Sequence, residues 1–299
     1  MASSTHDKTP AYYVPESSRL PIAMAFTLFL LAWGGAGVLQ NVSGIQQNSS
    51  GVWILSVGLV MFAATLTVWF TKAAREHMAG LNSEQLQESY RQCMKWFIVS
   101  EAMFFAAFFG GLFYVRAFEL PWMAGEGAKA ATGMLYEGFE YTWPLLTNPV
   151  PEAVPGPQEA MHWTIPLINT TLLITSSVTL TFAHHALRKE HRASLKNWLL
   201  ATIVLAVVFL GFQAYEYYEA YAHLGLTLDS GIYGSTFFIL TGFHGVHVIM
   251  GTIILIALYF RVLKGHFTGP DHFGFEAGAW YWHFVDVIWI LLFFVVYIF

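Results

Sequence analysis

The sequence predicts an all-α, polytopic membrane protein with seven transmembrane helices, and three observations carry this prediction. Seven long apolar segments follow one another along the chain, and residues 96–116 (WFIVSEAMFFAAFFGGLFYVR) are one of them. About 20 such residues cross a hydrocarbon layer. Hydrophobic residues make up 56% of the chain and charged residues only 11%, whereas soluble domains are about 25% charged. Basic residues are concentrated in alternate connecting segments, as the positive-inside rule requires.

The seven spans are expected at about 21–40, 52–71, 96–116, 165–187, 197–220, 232–262 and 280–299. Pro21 opens the first span, at a position where its missing N–H is harmless. The fourth span is unusually rich in Thr, Ser and Asn. The sixth is longer than a crossing needs, so it is expected to tilt or to protrude.

The connecting segments divide the chain into two parts of one membrane domain. Residues 1–71 hold a polar tail, without the apolar core of a signal peptide, and helices 1 and 2. Residues 72–299 hold the bundle of helices 3–7 and a long loop at 117–163. Four prolines in the second half of that loop predict an extended, turn-rich conformation on the outer surface.

The distribution of Lys and Arg predicts the orientation of the chain. If the N-terminus lies inside, all but Arg116 and Lys129 of the 14 basic residues fall on the inner side. The inner side is the cytoplasm or the mitochondrial matrix. The net charge of -5 says nothing about partners. Seven spans without an internal repeat disfavour an inverted-repeat transporter.

Glu101 lies inside the third apolar segment, where a carboxylate is costly unless it is protonated, hydrogen-bonded or facing other protein. Glu101 and Phe105 are one turn apart on one helical face. Ala102, Ala106 and Gly110 recur every fourth residue and form a smooth stripe that favours close packing of another helix. The third span is therefore expected inside a bundle.

Four further polar residues fall within spans six and seven: His244 and His247, and His283 and Asp286. Each pair is spaced by three residues, which places its members on one face. Three interpretations remain open. The histidines could ligate a metal together with Glu101 and Asp286. The groups could instead hydrogen-bond one another and lock the helices together without chemistry. Glu101 could also take up and release protons.

No catalytic residue and no metal site are assigned from the sequence. Cys93 is the only cysteine, so neither an internal disulfide nor a cysteine zinc pattern is possible. No nucleophile elbow, P-loop or dinucleotide fingerprint is present. Glu216 and Glu219 lie near the outer end of span five, outside these constellations.

Five stretches carry a specific resemblance to one family: WFIVSEAMFFAAFF (96–109), NTTLLITSSVTLTFAHHAL (169–187), QAYEYYEA (213–220), GIYGSTFFILTGFHGVHVIMG (231–251) and DHFGFEAGAWYWHFVDVIW (271–289). With the first two spans they cover nearly the whole chain, which resembles subunit III of the haem–copper cytochrome c oxidases. The loop at 117–163 and the first 20 residues depart from the family pattern, and they look bacterial more than mitochondrial.

The resemblance implies a supporting subunit without a cofactor of its own, whose complex carries haem and copper in subunits I and II. Subunit I is the implied direct partner, with subunit II and small subunits as further partners. Helices 1 and 2 are implied to splay from helices 3–7, with phospholipids in the cleft. The implied role is to stabilise subunit I, to support its proton uptake and to protect it from inactivation during turnover. The implied location is the bacterial inner membrane, with a cytoplasmic N-terminus and a periplasmic C-terminus.

The resemblance also implies roles for individual residues. Glu101 matches the family's buried carboxylate of the third helix, and His244 and His247 match its sixth-helix histidines. Three residues match positions associated with lipid in the cleft: Trp69, Arg75 and Arg261.

Two other functional classes stay open beside this one. A related quinol oxidase subunit has five spans and lacks the first pair, so the presence of spans one and two favours the cytochrome c branch. A stand-alone proton or solute transporter could use Glu101 as its carrier, and a membrane metalloenzyme could use the histidine pairs.

Overall fold

The computed structural model describes residues 17–42, 50–81, 83–269 and 271–299. Most of the predicted N-terminal tail, including Lys8, and the first connection at 43–49 lie outside the described residues. Regular structure is helical throughout these ranges, with no strand among them. The all-α prediction is confirmed.

Seven long helices are present in the described part of the chain: α1 (Leu20–Val42), α2 (Ser50–Met78), α3 (Glu84–Tyr114), α4 (Thr164–Arg188), α5 (Arg192–Ala222), α6 (Ile232–Leu263) and α7 (Phe273–Leu292). Each contains a window long and apolar enough to cross a membrane, with a mean hydropathy of 1.4 to 2.1. The predicted number of spans is confirmed.

Several helices extend beyond the apolar segments that predict them. α3 begins at Glu84 instead of near Trp96, and α7 begins at Phe273 instead of near Trp280. Hydropathy marks only the part of a helix that lies in hydrocarbon. Backbone hydrogen bonding continues through polar turns beyond it, so the pattern underestimates these helices.

The C-terminal end of α3 is longer than the sequence suggests. A π-helical turn at Val115–Glu119 continues α3 into a short helix at Leu120–Met123. The loop predicted to start at 117 therefore starts after Met123. Pro121 does not end the helical path, because it occupies the first turn of the short helix, where its missing N–H is tolerated.

The chain separates into two compact units, Met1–Tyr90 and Arg91–Phe299. In the first, α1 and α2 pack antiparallel at glycine contacts. A Cβ placed on Gly34 would lie 2.3 Å from the backbone nitrogen of Leu55, and one on Gly37 would lie 2.9 Å from the Cα of Gly51. Such close backbone approach is how small residues join membrane helices. The predicted splay of helices 1 and 2 stays a prediction.

In the second unit, α4 pairs with α5 along much of its length, α5 packs on α6, and α7 packs on both α6 and α4. α6 and α7 come close at Gly251, where a Cβ would lie 2.8 Å from the Trp282 ring. Trp282 and Trp289 are fully buried between these helices. They form the centre of a core that holds the polar residues in place.

The connection from 124 to 163 is attached to this unit by hydrogen bonds. It begins with 3-10 turns at Gly127–Leu135 and continues as turns and bends. The Asn148 amide donates to the carbonyl oxygen of Ser230 over 3.3 Å. The backbone N–H of Gln158 donates to the carbonyl oxygen of Leu224 over 2.9 Å. The second half of the loop is therefore fastened to the connection between α5 and α6.

Candidate functional site

Glu101 on α3 and His247 on α6 form a direct hydrogen bond. The distance from Oε2 of Glu101 to Nε2 of His247 is 2.9 Å. The other ring nitrogen, Nδ1, lies 2.7 Å from the carbonyl oxygen of Phe243. A carbonyl oxygen only accepts, so Nδ1 carries a hydrogen and donates it. Glu101 is therefore hydrogen-bonded to a neighbouring helix, which is one of the conditions that make a carboxylate tolerable inside a span.

This arrangement limits how protons are distributed in the pair. Nε2 either accepts from a protonated Glu101 or donates, as part of an imidazolium, to the Glu101 carboxylate. One proton lies between the two atoms in both cases, and the pair is neutral overall. The side chains are 23% exposed for Glu101 and 14% exposed for His247. A neighbouring molecule can therefore contact the pair, although protein covers most of the two side chains.

Aromatic rings enclose the pair. Phe105, which is buried, approaches the His247 ring edge-on with centroids 5.1 Å apart. Tyr281 of α7 stacks on the same imidazole at 6.4 Å. Phe105 and Glu101 both contact His247, so the face they were predicted to share is the face that α3 turns towards α6.

The small-residue stripe of α3 has a different environment from the one predicted. Ala102, Ala106 and Gly110 are exposed, and no atom outside the local helix lies within 4 Å of a Cβ placed on Gly110. Within the unit Arg91–Phe299, no described helix therefore packs on the stripe. Large aromatic side chains occupy the space between α3 and α6, which keeps the two backbones apart.

His244 lies on α6 one turn from His247 but contacts other helices. Its Nε2 lies 3.2 Å from the carbonyl oxygen of Val285 on α7 and donates to it. Its ring packs on Trp289 at 5.0 Å and on Phe209 of α5 at 6.0 Å. Nδ1 is buried without a partner among the described residues. The two histidines therefore do not converge on one point.

His283 and Asp286 of α7 face α4 instead of α3. Nδ1 of His283 lies 3.0 Å from the hydroxyl oxygen of Ser177. Asp286 is buried beside the same Ser177, and its Oδ1 has no hydrogen-bond partner in the described ranges. The sequence-predicted polar residues thus form separate links between helices and not one cluster.

The metal interpretation needs three or more ligands to converge. Within residues 17–42, 50–81, 83–269 and 271–299, no group of three His, Cys, Asp or Glu side chains is arranged to hold a metal ion. At this site the physical reason is that His244 bonds to α7 whereas His247 bonds to α3, so the two rings do not converge.

The three residues matched to lipid positions are located at or near the ends of helices. Trp69 is 38% exposed and Arg75 is exposed on α2. The Arg261 guanidinium lies 4.4 Å above the Phe267 ring and interacts electrostatically with Asp271. Arg261 is therefore partly engaged within the protein, whereas Arg75 presents its charge outwards.

Sequence reasoning missed the links that the fourth span makes. The Nε1–H of Trp289 donates to the Thr170 hydroxyl over 3.0 Å, and the hydroxyls of Thr179 and Thr202 lie 2.8 Å apart. The Ser and Thr content of span four was the signal. The pattern shows which residues are polar, but it does not show which helix each one meets.

The chain matches the family model described as cytochrome c oxidase subunit III over residues 10–125 and 154–299. The chain belongs to the cytochrome c oxidase subunit III family. Similar proteins include cytochrome c oxidase subunit 3 of Rhizopus stolonifer, which is 38% identical over 288 residues, covering 96% of this chain and 89% of the relative. The same subunit of Tragelaphus oryx is 37% identical over 294 residues, and that of Loxodonta africana over 296, each covering 98% of both chains.

Family membership has two direct consequences. The chain has a subunit III role and is part of a multi-subunit oxidase complex in a membrane. Residues 126–153, which the family model leaves unmatched, fall inside the loop at 117–163 that the sequence singled out as a departure. The elements that carry Glu101, His247 and Arg261 all lie within the matched ranges.

Proposed function

We propose that this chain is the supporting, non-redox subunit III of a bacterial respiratory oxidase that accepts electrons from cytochrome c. It binds beside subunit I and holds phospholipids in a cleft between α1–α2 and α3–α7. In doing so it sustains proton uptake and delays inactivation of the catalytic subunit during turnover. The near full-length match to proteins named cytochrome c oxidase subunit 3 is the observation that carries the proposal.

The different polar content of the two groups of helices supports a lipid-filled cleft. Several side-chain hydroxyls of α1 and α2 bond within their own helices, as Thr27 does to Met24 and Ser56 to Val52. Helices α3–α7 are instead joined by side-chain bonds between helices, including Glu101 to His247. In the proposal, the α1–α2 hairpin stands away from the remaining helices, and phospholipids occupy the space between them.

Arg75 and Arg261 are proposed to bind lipid phosphate. A guanidinium forms paired, charge-assisted hydrogen bonds to phosphate oxygens. Arg75 is exposed near the end of α2, and the Nε of Arg261 has no partner in the part of the chain that the structure describes. Trp69 is partly exposed on α2, within two turns of Arg75, where an indole suits the headgroup level.

The Glu101–His247 pair is proposed to act as a local proton store for the neighbouring subunit. The pair holds one proton that either partner can carry, and both side chains are partly exposed. Releasing the shared proton leaves the pair with one negative charge, and taking a proton up again restores its neutrality. This role accords with a subunit that maintains proton uptake while the haem and copper chemistry takes place in its partners.

The experiment that tests the lipid proposal compares two double variants of the assembled oxidase. Arg75→Ala with Arg261→Ala should lower the phospholipid content and the number of turnovers before inactivation. Lys72→Ala with Lys264→Ala removes two cations near the same helix ends and should leave both quantities unchanged. An Arg double variant with normal lipid content and normal endurance would disprove the role. Arg75→Ala alone provides a second reading, because Arg75 is exposed whereas Arg261 also packs on Phe267.

A purification experiment tests the assignment to an oxidase. Mild-detergent isolation through a tag on this chain should recover haem and copper with the complex. The separated chain should carry neither. Electron delivery from reduced cytochrome c, compared with delivery from a quinol, identifies the donor.

A further inference from the structure

Three buried polar side chains near the outer half of α4 and α5 have polar atoms without a hydrogen-bond partner among the described residues. They are Asn169 on α4, and Gln213 and Glu216 on α5, with exposures of 0%, 6% and 0%. Both amide atoms of Asn169, both amide atoms of Gln213 and Oε2 of Glu216 have no partner within the described ranges. Native proteins rarely leave buried polar atoms unpaired, so five in one region require a physical account.

The register of the two helices brings these residues to one level. The hydroxyls of Thr179 on α4 and Thr202 on α5 meet at 2.8 Å, which fixes the antiparallel alignment. Asn169 lies ten residues from Thr179 towards the outer end, and Gln213 lies eleven residues from Thr202 in the same direction. At about 1.5 Å per residue, the two levels differ by only about one residue rise.

The side chains also lie on buried faces that both helices turn towards α7. Positions 202, 206, 209, 213 and 216 of α5 are all buried, and this three-and-four spacing defines one face. Positions 169, 173, 176 and 180 of α4 are buried with the same spacing. Ser176 of the α4 stripe bonds to Trp282, and Phe209 of the α5 stripe packs on Trp289. Asn169 and Gln213 therefore lie on stripes that both face α7, and Glu216 lies one turn beyond Gln213.

Aromatic groups close this region and supply one further donor. The Tyr297 hydroxyl donates to Oε1 of Glu216 over 2.5 Å. Tyr297 is carried by the π-helical turn Phe293–Ile298 that follows α7. Its ring contacts Phe237 at 5.7 Å and Trp289 at 6.2 Å. One carboxylate oxygen is thus satisfied, whereas Oε2 remains without a donor from the described residues.

The chemistry of the unpaired atoms suits water. Two amide NH₂ groups offer donors, and three oxygens offer acceptors, so both kinds of bond are required. A buried water typically makes about three hydrogen bonds and both donates and accepts. We infer that Asn169, Gln213 and Glu216 enclose a site for about two ordered water molecules, which join the outer halves of α4 and α5 to the turn that carries Tyr297.

This site is separate from the Glu101–His247 pair. Its residues belong to α4, α5 and the turn after α7, whereas the pair belongs to α3 and α6. The inference does not depend on the proposed lipid or proton role of the subunit. It concerns how buried polar groups are satisfied within one chain, whichever partner the chain has.

The test is a density map of the assembled complex at a resolution that shows ordered water. Peaks should lie within hydrogen-bond distance of Asn169, Gln213 and Oε2 of Glu216. Direct bonds between the Asn169 and Gln213 amides, or a dry region without peaks, would overturn the inference. The map of the parent protein decides this question even if every variant fails to assemble.

A variant provides a second reading of the same site. Gln213→Leu keeps a similar volume but removes one donor and one acceptor, so a peak beside position 213 should disappear. Thr175→Val is the matched control, because Thr175 is exposed on α4 and its hydroxyl bonds to its own helix at Thr171. The control should retain every peak. Peaks that persist unchanged in Gln213→Leu would contradict the assignment of Gln213 to the site.

Discussion

The indole Nε1–H of Trp282 on α7 donates to the hydroxyl oxygen of Ser176 on α4 over 2.9 Å. Both residues are buried, and the same hydroxyl donates its hydrogen to the carbonyl oxygen of Leu173. Ser176 therefore serves as acceptor and donor at once, in a position that water cannot reach.

Removing the Ser176 hydroxyl should destabilise the bundle. Ser176→Ala leaves the Trp282 Nε1–H buried without an acceptor, which costs about 1–2 kcal/mol. The expected result is a lower midpoint of thermal unfolding for the purified complex. Thr175→Ala is the control, because that hydroxyl is exposed and bonds within α4. Equal midpoints for the two variants would contradict the role given to Ser176.

The bond between Glu101 and His247 should appear as an energetic coupling between the two positions. Glu101→Gln and His247→Gln should each destabilise the complex. The double variant should fall short of the sum of the two single effects by about 0.5–2 kcal/mol. The measurement is a double-mutant cycle on thermal stability. Ser100→Ala and Val246→Ala, at exposed positions next to the pair, should add without coupling. A cycle that closes to zero at 101 and 247 would contradict the 2.9 Å bond.

Two adjacent glycines of α1 should respond in opposite ways to alanine. Gly34→Ala places a Cβ 2.3 Å from the backbone nitrogen of Leu55, so α1 and α2 must separate at a cost of about 1–3 kcal/mol. Gly35→Ala meets nothing within 4 Å and should be neutral or stabilising, because alanine favours a helix by about 1 kcal/mol over glycine.

Limited proteolysis of the assembled complex measures the stability of the α1–α2 hairpin in the two glycine variants. Gly34→Ala should be cut faster than the parent and Gly35→Ala no faster. Similar cutting rates for the two variants would show that the close approach at Leu55 does not hold the hairpin.

The proposed orientation can be tested with single cysteines in a Cys93→Ser background. Lys189→Cys, after α4, should react with a membrane-impermeant maleimide only from the cytoplasmic side. Glu152→Cys, in the long loop, should react only from the opposite side. Both positions are exposed, so a lack of reaction is informative. If Lys189→Cys reacted only from the periplasmic side and Glu152→Cys only from the cytoplasmic side, the topology predicted from Lys and Arg would be wrong.

The number and type of helices could be predicted from the sequence, because every span needs about 20 consecutive, mostly apolar residues to cross the hydrocarbon core. The sequence also shows which polar residues fall within the spans. The neighbours of each residue were not predictable. His244 and His247 share a face by spacing, yet a step of three residues turns a helix by about 300°. That leaves the two side chains about 60° apart, which is enough for one to reach α7 and the other α3.

The small-residue stripe shows a second limit of the pattern. Ala102, Ala106 and Gly110 have the spacing of a helix contact, but they are exposed in the described part of the chain. Phe105, buried on the other face, determines which way α3 is turned. A single sequence cannot show whether a smooth face belongs to its own bundle or to another chain.

The fastening of the long loop by Asn148 and Gln158 has a practical consequence for handling this protein. Asn148 and Gln158 hydrogen-bond to the connection between α5 and α6. A foreign peptide inserted between them would disrupt these hydrogen bonds. The stretch from Gly127 to Ala131 is exposed and lies within the part that the family model leaves unmatched. An affinity handle belongs in that stretch, where it can be displayed while the helices beneath it keep their shape.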